Sequence, residues 1–478
     1  MRRILSSSIF FNIMENKTIA AIATALSNSG ISIIRISGDN AISITEKIFV
    51  SPSLKKLSEY ESNTINYGHI VDNGEVIDEV MVSVMRAPAS YTREDVVEIN
   101  THGGVLITKK VLSLLLKNGA VIAEPGEFTK RAFLNGRIDL SRAEAIMDII
   151  SAENDIALKS GIKQLRGDIY NSIKKIREEL IYNIAFIESA LDDPEHISLD
   201  GYYNELSDKV DSVLNELSIL SKSAENGRIV RDGINTVILG KPNAGKSSLM
   251  NSLMGEERAI VTDIAGTTRD SLEESIRIGS VSFRISDTAG IRDTDDTVEK
   301  IGVERSRNLA KDAELILYVV DSSNNLDEND FDIIKMTVGK RIVVLLNKND
   351  LDQVISVNEL EDIMCREGHN KSDFRVISIS ARDNIGVDVL CDEVQNMFFN
   401  GDIGNSNEIM ITNIRHKEAI DEAINSLNMV KSSIYDNMPE DFLTIDMMNA
   451  YSSLGYIIGE EVDDDLVNEI FSRFCMGK

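Results

Sequence analysis

Residues 236–239, Thr-Val-Ile-Leu, lead without interruption into Gly240-Lys241-Pro242-Asn243-Ala244-Gly245-Lys246-Ser247. No other feature of this chain constrains its fold as strongly. Glycine, four variable residues, then Gly-Lys-Ser after a strand predicts a helix beginning at the lysine, because the glycines let backbone N–H groups turn inward on an anion at the helix N-terminus. The turn is a phosphate cradle. Lys246 adds a point charge, Ser247 offers a hydroxyl to Mg²⁺, and Ser248 continues the first turn.

Four further stretches follow on the same strand-and-helix scaffold. Thr267-Thr268 supplies a hydroxyl that can complete the metal's ligands and order a switch loop. Residues 281–286 read as a strand ending in Asp287-Thr288-Ala289-Gly290, where the acid holds the Mg²⁺ shell and the glycine N–H senses a γ-phosphate. A third strand, residues 342–346, delivers Asn347-Lys348-Asn349-Asp350. The Asp350 carboxylate can accept from guanine N1–H and the 2-amino group, whereas adenine presents an acceptor there and leaves the charge unpaired; such sites discriminate by about 10⁴. Finally residues 377–379 run into Ser380-Ala381-Arg382, suited to backbone contact with a base. Motifs of these kinds in this order describe a chain that binds and hydrolyses GTP. One position departs from the Ras-like pattern: Ile291, not glutamine, follows Gly290. An apolar side chain cannot orient water, so the acid-rich loop 293–299 is the nearest polar source, and no arginine finger is assignable.

The rest of the chain brackets this segment. At about 150 residues per domain, 478 residues suggest about three domains. From about Thr18 to Leu134, β-like runs at 31–36, 80–85 and 96–99 mix with a helical stretch at 105–117 closed by Asn118-Gly119, which predicts an α+β domain over 14–136. Ser141 and Glu144 suggest a capping box, and apolar residues at Ala143, Ile146, Ile149 and Ile150, then Ile173, Ile176, Leu180, Ile184 and Ile187, recur at helical spacing. Helical text therefore fills 137–229 and returns over 404–478, so the α/β segment at 230–403 reads as an insertion into one helical domain. The fold class is multidomain α+β and α/β, a helical bundle interrupted by a Ras-like domain.

Formal charge is −28, which argues against a surface that grips nucleic acid as a whole, since phosphate contacts need clustered Lys and Arg. Cys365, Cys391 and Cys475 form no Cys-x-x-Cys pair and no even disulfide framework, which favours a reducing, cytoplasmic setting without structural zinc. No stretch approaches the ~20 apolar residues of a membrane span. Residues 1–13, with Arg2, Arg3 and Ser6-Ser7-Ser8, fit either an organelle-targeting leader or an upstream start before folding sequence near Met14; the second is expected.

Four features together closely resemble the MnmE (TrmE) family of tRNA-modification GTPases: Asn243 in the phosphate loop; Thr262-Asp263-Ile264-Ala265-Gly266-Thr267-Thr268-Arg269-Asp270; Pro125-Gly126-Glu127-Phe128-Thr129-Lys130-Arg131-Ala132-Phe133-Leu134-Asn135; and the terminal Phe474-Cys475-Met476-Gly477-Lys478. The resemblance spans the chain from Met14 onward. It implies a homodimer joined through the N-terminal domains, a reduced folate of the 5-formyl- or methylene-tetrahydrofolate type, and an MnmG-type partner carrying FAD, the two proteins forming a heterotetramer. It implies an aminomethyl or carboxymethylaminomethyl group installed at carbon 5 of the wobble uridine of certain tRNAs. Residue by residue, it places folate contacts on Arg35, Glu98, Arg137 and Lys478, a functional thiol on Cys475, and water orientation on Glu299. It makes the cation beside the phosphates K⁺, held by Asn243 with carbonyls of Thr262, Ile264 and Thr267, and gives Mg²⁺ to Ser247 and Thr268. For Cys475 the competing reading is inert packing against Phe471 and Phe474; among the histidines, His102 beside Gly103-Gly104 stands out. The rival class is a regulatory GTPase acting as an RNA- or ribosome-binding switch. Such proteins usually append a basic module, and a pI of 4.6 without a basic tail weighs against it; reduced-folate binding separates the two.

Overall fold

The computed structural model describes residues 17–254, 273–278, 281–286, 309–399 and 409–478. It divides into two compact units, the first made of residues up to Met147 with Leu165–Arg177 and Ser452–Lys478, the second of Asp148–Gln164 and Glu178–Tyr451. The mixed α+β and α/β class read from the sequence holds. No helix among the described residues is long and apolar enough to cross a membrane.

The first unit is built on strands β1 (Ile19–Ile22), β2 (Ser29–Ser37), β3 (Phe49–Val50), β4 (Thr64–Asp72), β5 (Glu75–Met85), β6 (Val96–Gly103) and β7 (Val121–Ile122), in the order β3-β4-β5-β6-β2-β1-β7. The expected runs lie within β2, β5 and β6, and the expected helix is Val105–Lys117. Period-two alternation sorts the faces. Val80, Val82 and Val84 are buried while Met81 is exposed, and the buried face packs against Val111, Leu114 and Leu115 of helix Val105–Lys117 and Ala41, Ile42 and Ile44 of helix Ala41–Glu46. On β1, Ala20 joins that core while Ile19 and Ala21 join Ala123 and Phe128 on the opposite side. The opposite face also carries Arg35 and Glu98, in register across β2 and β6.

A third cluster in this unit joins Leu140 and Ala143 to Val467, Phe471 and Phe474. Helix Leu140–Ile150 is capped by Asp139, and Ser141, expected to open a capping box with Glu144, lies inside the first turn. The Asp139 carboxylate accepts from the Arg142 N–H at 3.1 Å and from the Ser141 hydroxyl. An ionised acceptor two residues earlier outcompetes the hydroxyl for the first free donors of the helix.

The second unit holds β8 (Ile234–Leu239), β9 (Glu273–Ile278), β10 (Val281–Ser286), β11 (Leu315–Asp321), β12 (Arg341–Asn347) and β13 (Phe374–Ser378), ordered β13-β12-β11-β8-β10-β9. All neighbours are parallel except the β9–β10 pair. Both faces are covered, as a parallel sheet requires. Leu315, Leu317 and Val319 of β11 enter one core and Ile316, Tyr318 and Val320 the other.

Helix Tyr202–Asp232 buries Leu206, Val210, Val213, Leu217, Leu220 and Ala224, a stripe at helical spacing that packs against helix Ile414–Tyr435 and its Ala419, Ile420, Ala423, Leu427 and Val430. The α/β segment thus interrupts a pair of helices that meet in space. Its return point lies against the helix it left, for Ile411 N–H donates to Ser223 Oγ at 3.1 Å and any Cβ on Gly227 would strike the Ile411 carbonyl. Asn154 ties helix Asp155–Arg166 into the same unit. Its Oδ1 accepts from the Ala157 N–H at 2.8 Å, and its Nδ2 donates to the Val230 carbonyl at 3.0 Å and to Ser282 Oγ at 3.2 Å.

Candidate nucleotide site and C-terminal cluster

β8 ends at Leu239 and helix Lys246–Leu253 begins at the lysine expected to start it. Three backbone positions shape the loop between them. Gly240 has φ +150° and Gly245 φ +104°; a Cβ on the first would strike the Val319 carbonyl and on the second the Asn347 amide. Asn243 takes φ 61°, a left-handed conformation that Asn tolerates better than most side chains. Lys246 Nζ donates to the Gly240 and Lys241 carbonyls at 2.7 and 2.8 Å, so the ammonium lies over the loop backbone, and burial pushes its pKa down from the usual lysine range. Ser247 and Ser248 are exposed in the first helical turn, and Ala244 is buried.

Asn347, at the end of β12, is the joint of the site. It is 3% exposed; its Nδ2 donates to the Ala244 carbonyl at 2.9 Å and its Oδ1 accepts from the Ala381 N–H at 3.0 Å. One amide therefore holds the phosphate loop to Ser380-Ala381-Arg382. Lys348 follows with φ 66°. Its carbonyl accepts from the Leu351 N–H at 2.9 Å, closing a turn from which Asp350 projects, and Asp350 Oδ1 accepts from the Ser380 hydroxyl at 3.0 Å. Asp350 and Arg382 are exposed, Ser380 is buried. The remaining expected residues, Thr262, Asp263, Ile264, Ala265, Gly266, Thr267, Thr268, Asp287, Thr288, Ala289, Gly290 and Glu299, lie outside the described residues, as do residues 1–13.

In the first unit, Arg35 Nε donates to Glu98 Oε1 at 2.8 Å and its NH1 to the Gly477 carbonyl at 3.1 Å. Its guanidinium lies 5.3 Å from the Tyr91 ring centre, and that of Arg137 lies 4.8 Å from the same ring while donating to the Tyr91 carbonyl at 3.1 Å. The C-terminal segment reaches this place through two glycines. Gly126, with φ 69°, leaves room for Phe474, and its N–H donates to the Cys475 carbonyl at 3.4 Å; Gly477, with φ 87°, passes against the Ile22 carbonyl. The tail thus carries the half-buried Lys478 next to the residue whose carbonyl Arg35 holds. Phe471 and Phe474 bury themselves, not Cys475, which is exposed. His102 is exposed too, with Nδ1 2.7 Å from Asp78 Oδ1; that hydrogen bond, then the carboxylate's charge, raises its pKa above the usual 6.5.

Comparison with known proteins decides the family. The description "MnmE helical domain" matches residues 140–475, and "GTP-binding protein TrmE N-terminus" matches residues 18–137. The chain belongs to the MnmE family. It is 55% identical over 466 residues, 97% of this chain and all of the relative, to the tRNA modification GTPase MnmE of Lachnoclostridium phytofermentans. It is 47% identical to the protein of that name from Clostridioides difficile, over 96% of this chain and 99% of that one. The FeoB G-domain of Methanococcus jannaschii matches at 22% identity over 34% of this chain and 97% of its own, with a TM-score of 0.24.

Several residues of this MnmE-family chain were not legible as site residues in the sequence. Asp321 closes β11 and receives Lys348 Nζ at 2.6 Å; burial by itself pushes its carboxyl up, but the hydrogen bonds from Lys348 and Ser323 outweigh burial and hold it at about 2. Lys241 of the phosphate loop reaches Asp330 at 2.7 Å and Asp327 at 2.9 Å, and the Tyr318 hydroxyl donates to Asp330 at 2.7 Å. Tyr91 stands between two arginines. An acid ending a wholly apolar strand is the one signal that marks Asp321 in advance.

Proposed function

We propose that this chain couples GTP hydrolysis to modification at carbon 5 of the wobble uridine of certain tRNAs, adding an aminomethyl or carboxymethylaminomethyl group with an FAD-carrying MnmG-type partner. As a member of the MnmE family it is a GTP hydrolase of tRNA modification. The observation that carries the reading is the Asn347 bridge, which joins a phosphate loop and a base-edge loop into one nucleotide-sized frame. Phosphates sit on the N–H groups of the first turn of helix Lys246–Leu253, with Lys246 turning from its carbonyls to the β and γ groups. Asp350 and the Ser380-Ala381-Arg382 backbone take the guanine edge.

The loop chemistry also fits metal ions. The Ser247 hydroxyl, with Thr268, would hold Mg²⁺, and Asn243, whose φ of 61° sets it out at the loop's tip, would hold K⁺ with carbonyls of Thr262, Ile264 and Thr267. When bound, these ions offset charge building between the β- and γ-phosphates, the task an arginine finger performs elsewhere for 10³–10⁵ in rate. Glu299 orients the attacking water. In the first unit, Arg35, Arg137 and Lys478 suit the carboxylates of a reduced folate and Glu98 its ring N–H groups, a reading supported by the contacts of Arg35 with Glu98, Tyr91 and the Gly477 carbonyl and of Arg137 with Tyr91. Cys475 acts as an exposed thiol beside this cluster. The functional division is a folate-binding and dimerising part at 14–136, a helical part at 137–229 and 404–478, and a GTP-hydrolysing part at 230–403, working as a cytoplasmic homodimer that assembles with the partner into a heterotetramer.

The test is turnover at saturating GTP and Mg²⁺ in KCl against NaCl at equal ionic strength. Hydrolysis is expected to be much faster in KCl, Asn243→Ala to erase the difference, and Glu299→Ala to slow turnover without loosening GTP binding. Equal rates in the two salts would sink the cation mechanism, and unaltered wobble uridine after reconstitution with the partner would sink the tRNA assignment.

A further inference from the structure

Asp321 is 8% exposed, and its carboxylate accepts from four donors. Oδ1 accepts from the Ser323 N–H at 3.0 Å and hydroxyl at 2.6 Å, and Oδ2 from Asn324 Nδ2 at 2.9 Å and Lys348 Nζ at 2.6 Å. Three of these come from the turn that directly follows β11, so the acid is a fixed post and not a swinging surface charge. The fourth comes from Lys348, the residue that follows β12. Asp321 stands in parallel register with Asn347, at the C-terminal ends of two central strands, which is where open α/β sheets bind ligands.

Lys348 lies between Asn347, which clamps two loops, and Asp350, which projects from the turn Lys348 begins. A non-glycine residue at φ 66° is uncommon and is kept only where the surroundings hold it. With its ammonium fixed on Asp321, the four-carbon stem is held as an apolar surface at the start of the turn that carries Asp350. A purine needs such a flat, dry face as well as a polar edge reader. An unanchored lysine would have to surrender its rotamer freedom each time a base bound.

We propose that Asp321 is a positioning residue for nucleotide affinity, holding Lys348 by its ammonium so that the stem and the turn bearing Asp350 are set before the base arrives. The proposal rests on Asp350 being the base reader. Freezing a long side chain is prepaid in the free protein, so releasing Lys348 weakens nucleotide binding roughly ten- to thirtyfold. Base discrimination is unchanged because Asp350 remains.

The experiment uses the full chain and a fluorescent GDP analogue together with steady-state GTP hydrolysis. Asp321→Asn, which keeps shape and loses charge, is expected to raise Kd and KM by roughly tenfold with kcat and the GTP-to-ITP preference unchanged. Lys348→Met, which keeps the stem and removes the ammonium, is expected to make Asp321→Asn nearly silent, below about twofold in Kd, because the anchor then has nothing to hold. An unchanged KM in Asp321→Asn, or an equally large effect of it in the Lys348→Met background, overturns the proposal. Asp350→Asn with xanthosine triphosphate separates the two layers. If that variant gains no xanthine affinity, the base reading fails and the proposal falls with it; if it does gain and Asp321→Asn leaves KM unmoved, the proposal alone falls.

Discussion

Asn154→Ala removes three hydrogen bonds at a point where Asn154 and the groups it serves are all buried. The lost N-cap bond from the Ala157 N–H to Asn154 costs about 1 kcal/mol. The Val230 carbonyl lies in the last turn of helix Tyr202–Asp232, where no intrahelical donor follows, and it is left without the Asn154 amide; the Ser282 hydroxyl loses the same partner. Each buried orphan costs about 1–3 kcal/mol, so the sum is about 3–4 kcal/mol once partial relaxation is allowed. Asn154→Ser keeps a capping oxygen and is expected to recover about 1 kcal/mol of this. Thermal unfolding of the full chain is followed with and without GDP, and a transition that GDP raises is assigned to the unit containing residues 240–246. In that transition Asn154→Ala is expected to lower Tm by roughly 8 °C, and Asn154→Ser by a few degrees less. A drop under about 2 °C for the alanine variant, or identical drops for both, would refute the reasoning that these bonds are made in water-excluded surroundings.

Asp350→Asn is expected to weaken GTP and admit xanthosine triphosphate, because the amide offers a donor to the carbonyl that replaces guanine's amino group; competition binding with the two nucleotides reads this directly, and unchanged selectivity counts against Asp350. Arg35→Ala is expected to lower folate affinity at least tenfold while GTP turnover persists, since it removes the cation held by Glu98 and the Gly477 carbonyl; calorimetry showing tight folate binding removes Arg35 from the site. His102 gains a partner in the fold, so its folded pKa is raised, the charged pair with Asp78 is complete below the usual 6.5, and it is lost as pH rises through the raised value. A ring-proton NMR titration is expected to show a midpoint above 6.5 that falls back in Asp78→Asn, and an unmoved midpoint would show that the carboxylate does not set it.

What was legible in the sequence was what local chemistry dictates. The glycines at 240 and 245 announce their φ values, the stripe Ile173, Ile176, Leu180, Ile184 and Ile187 is buried as its spacing requires, and β10 spans the six residues expected of it. Illegible were features decided by distant partners. Asp321 and Lys348 are strangers along the chain, and so are Tyr91 and Arg137; no periodicity links them. The helix Ala41–Glu46 is too short for an apolar pattern to declare itself, and β4 hides because Ile65 and Tyr67 face outward. Around residue 140 the local pattern misled, since Ser-x-x-Glu fits a capping box but Asp139 stands nearer the true helix start.

The return of the chain at Ile411 to the flank of helix Tyr202–Asp232 sets an order on synthesis. That helix leaves the ribosome with its apolar stripe exposed, and its partner Ile414–Tyr435 emerges about 180 residues later. At 5–20 residues per second the delay is roughly 10–40 s, long compared with helix formation or hydrophobic collapse. The six-stranded sheet lies wholly between the two helices in sequence and can form in that interval, so the α/β segment can fold before the second helix of the pair emerges. A nascent chain halted before residue 411 would display a folded sheet beside a helix whose apolar stripe lacks its partner Ile414–Tyr435, the kind of surface that chaperones hold.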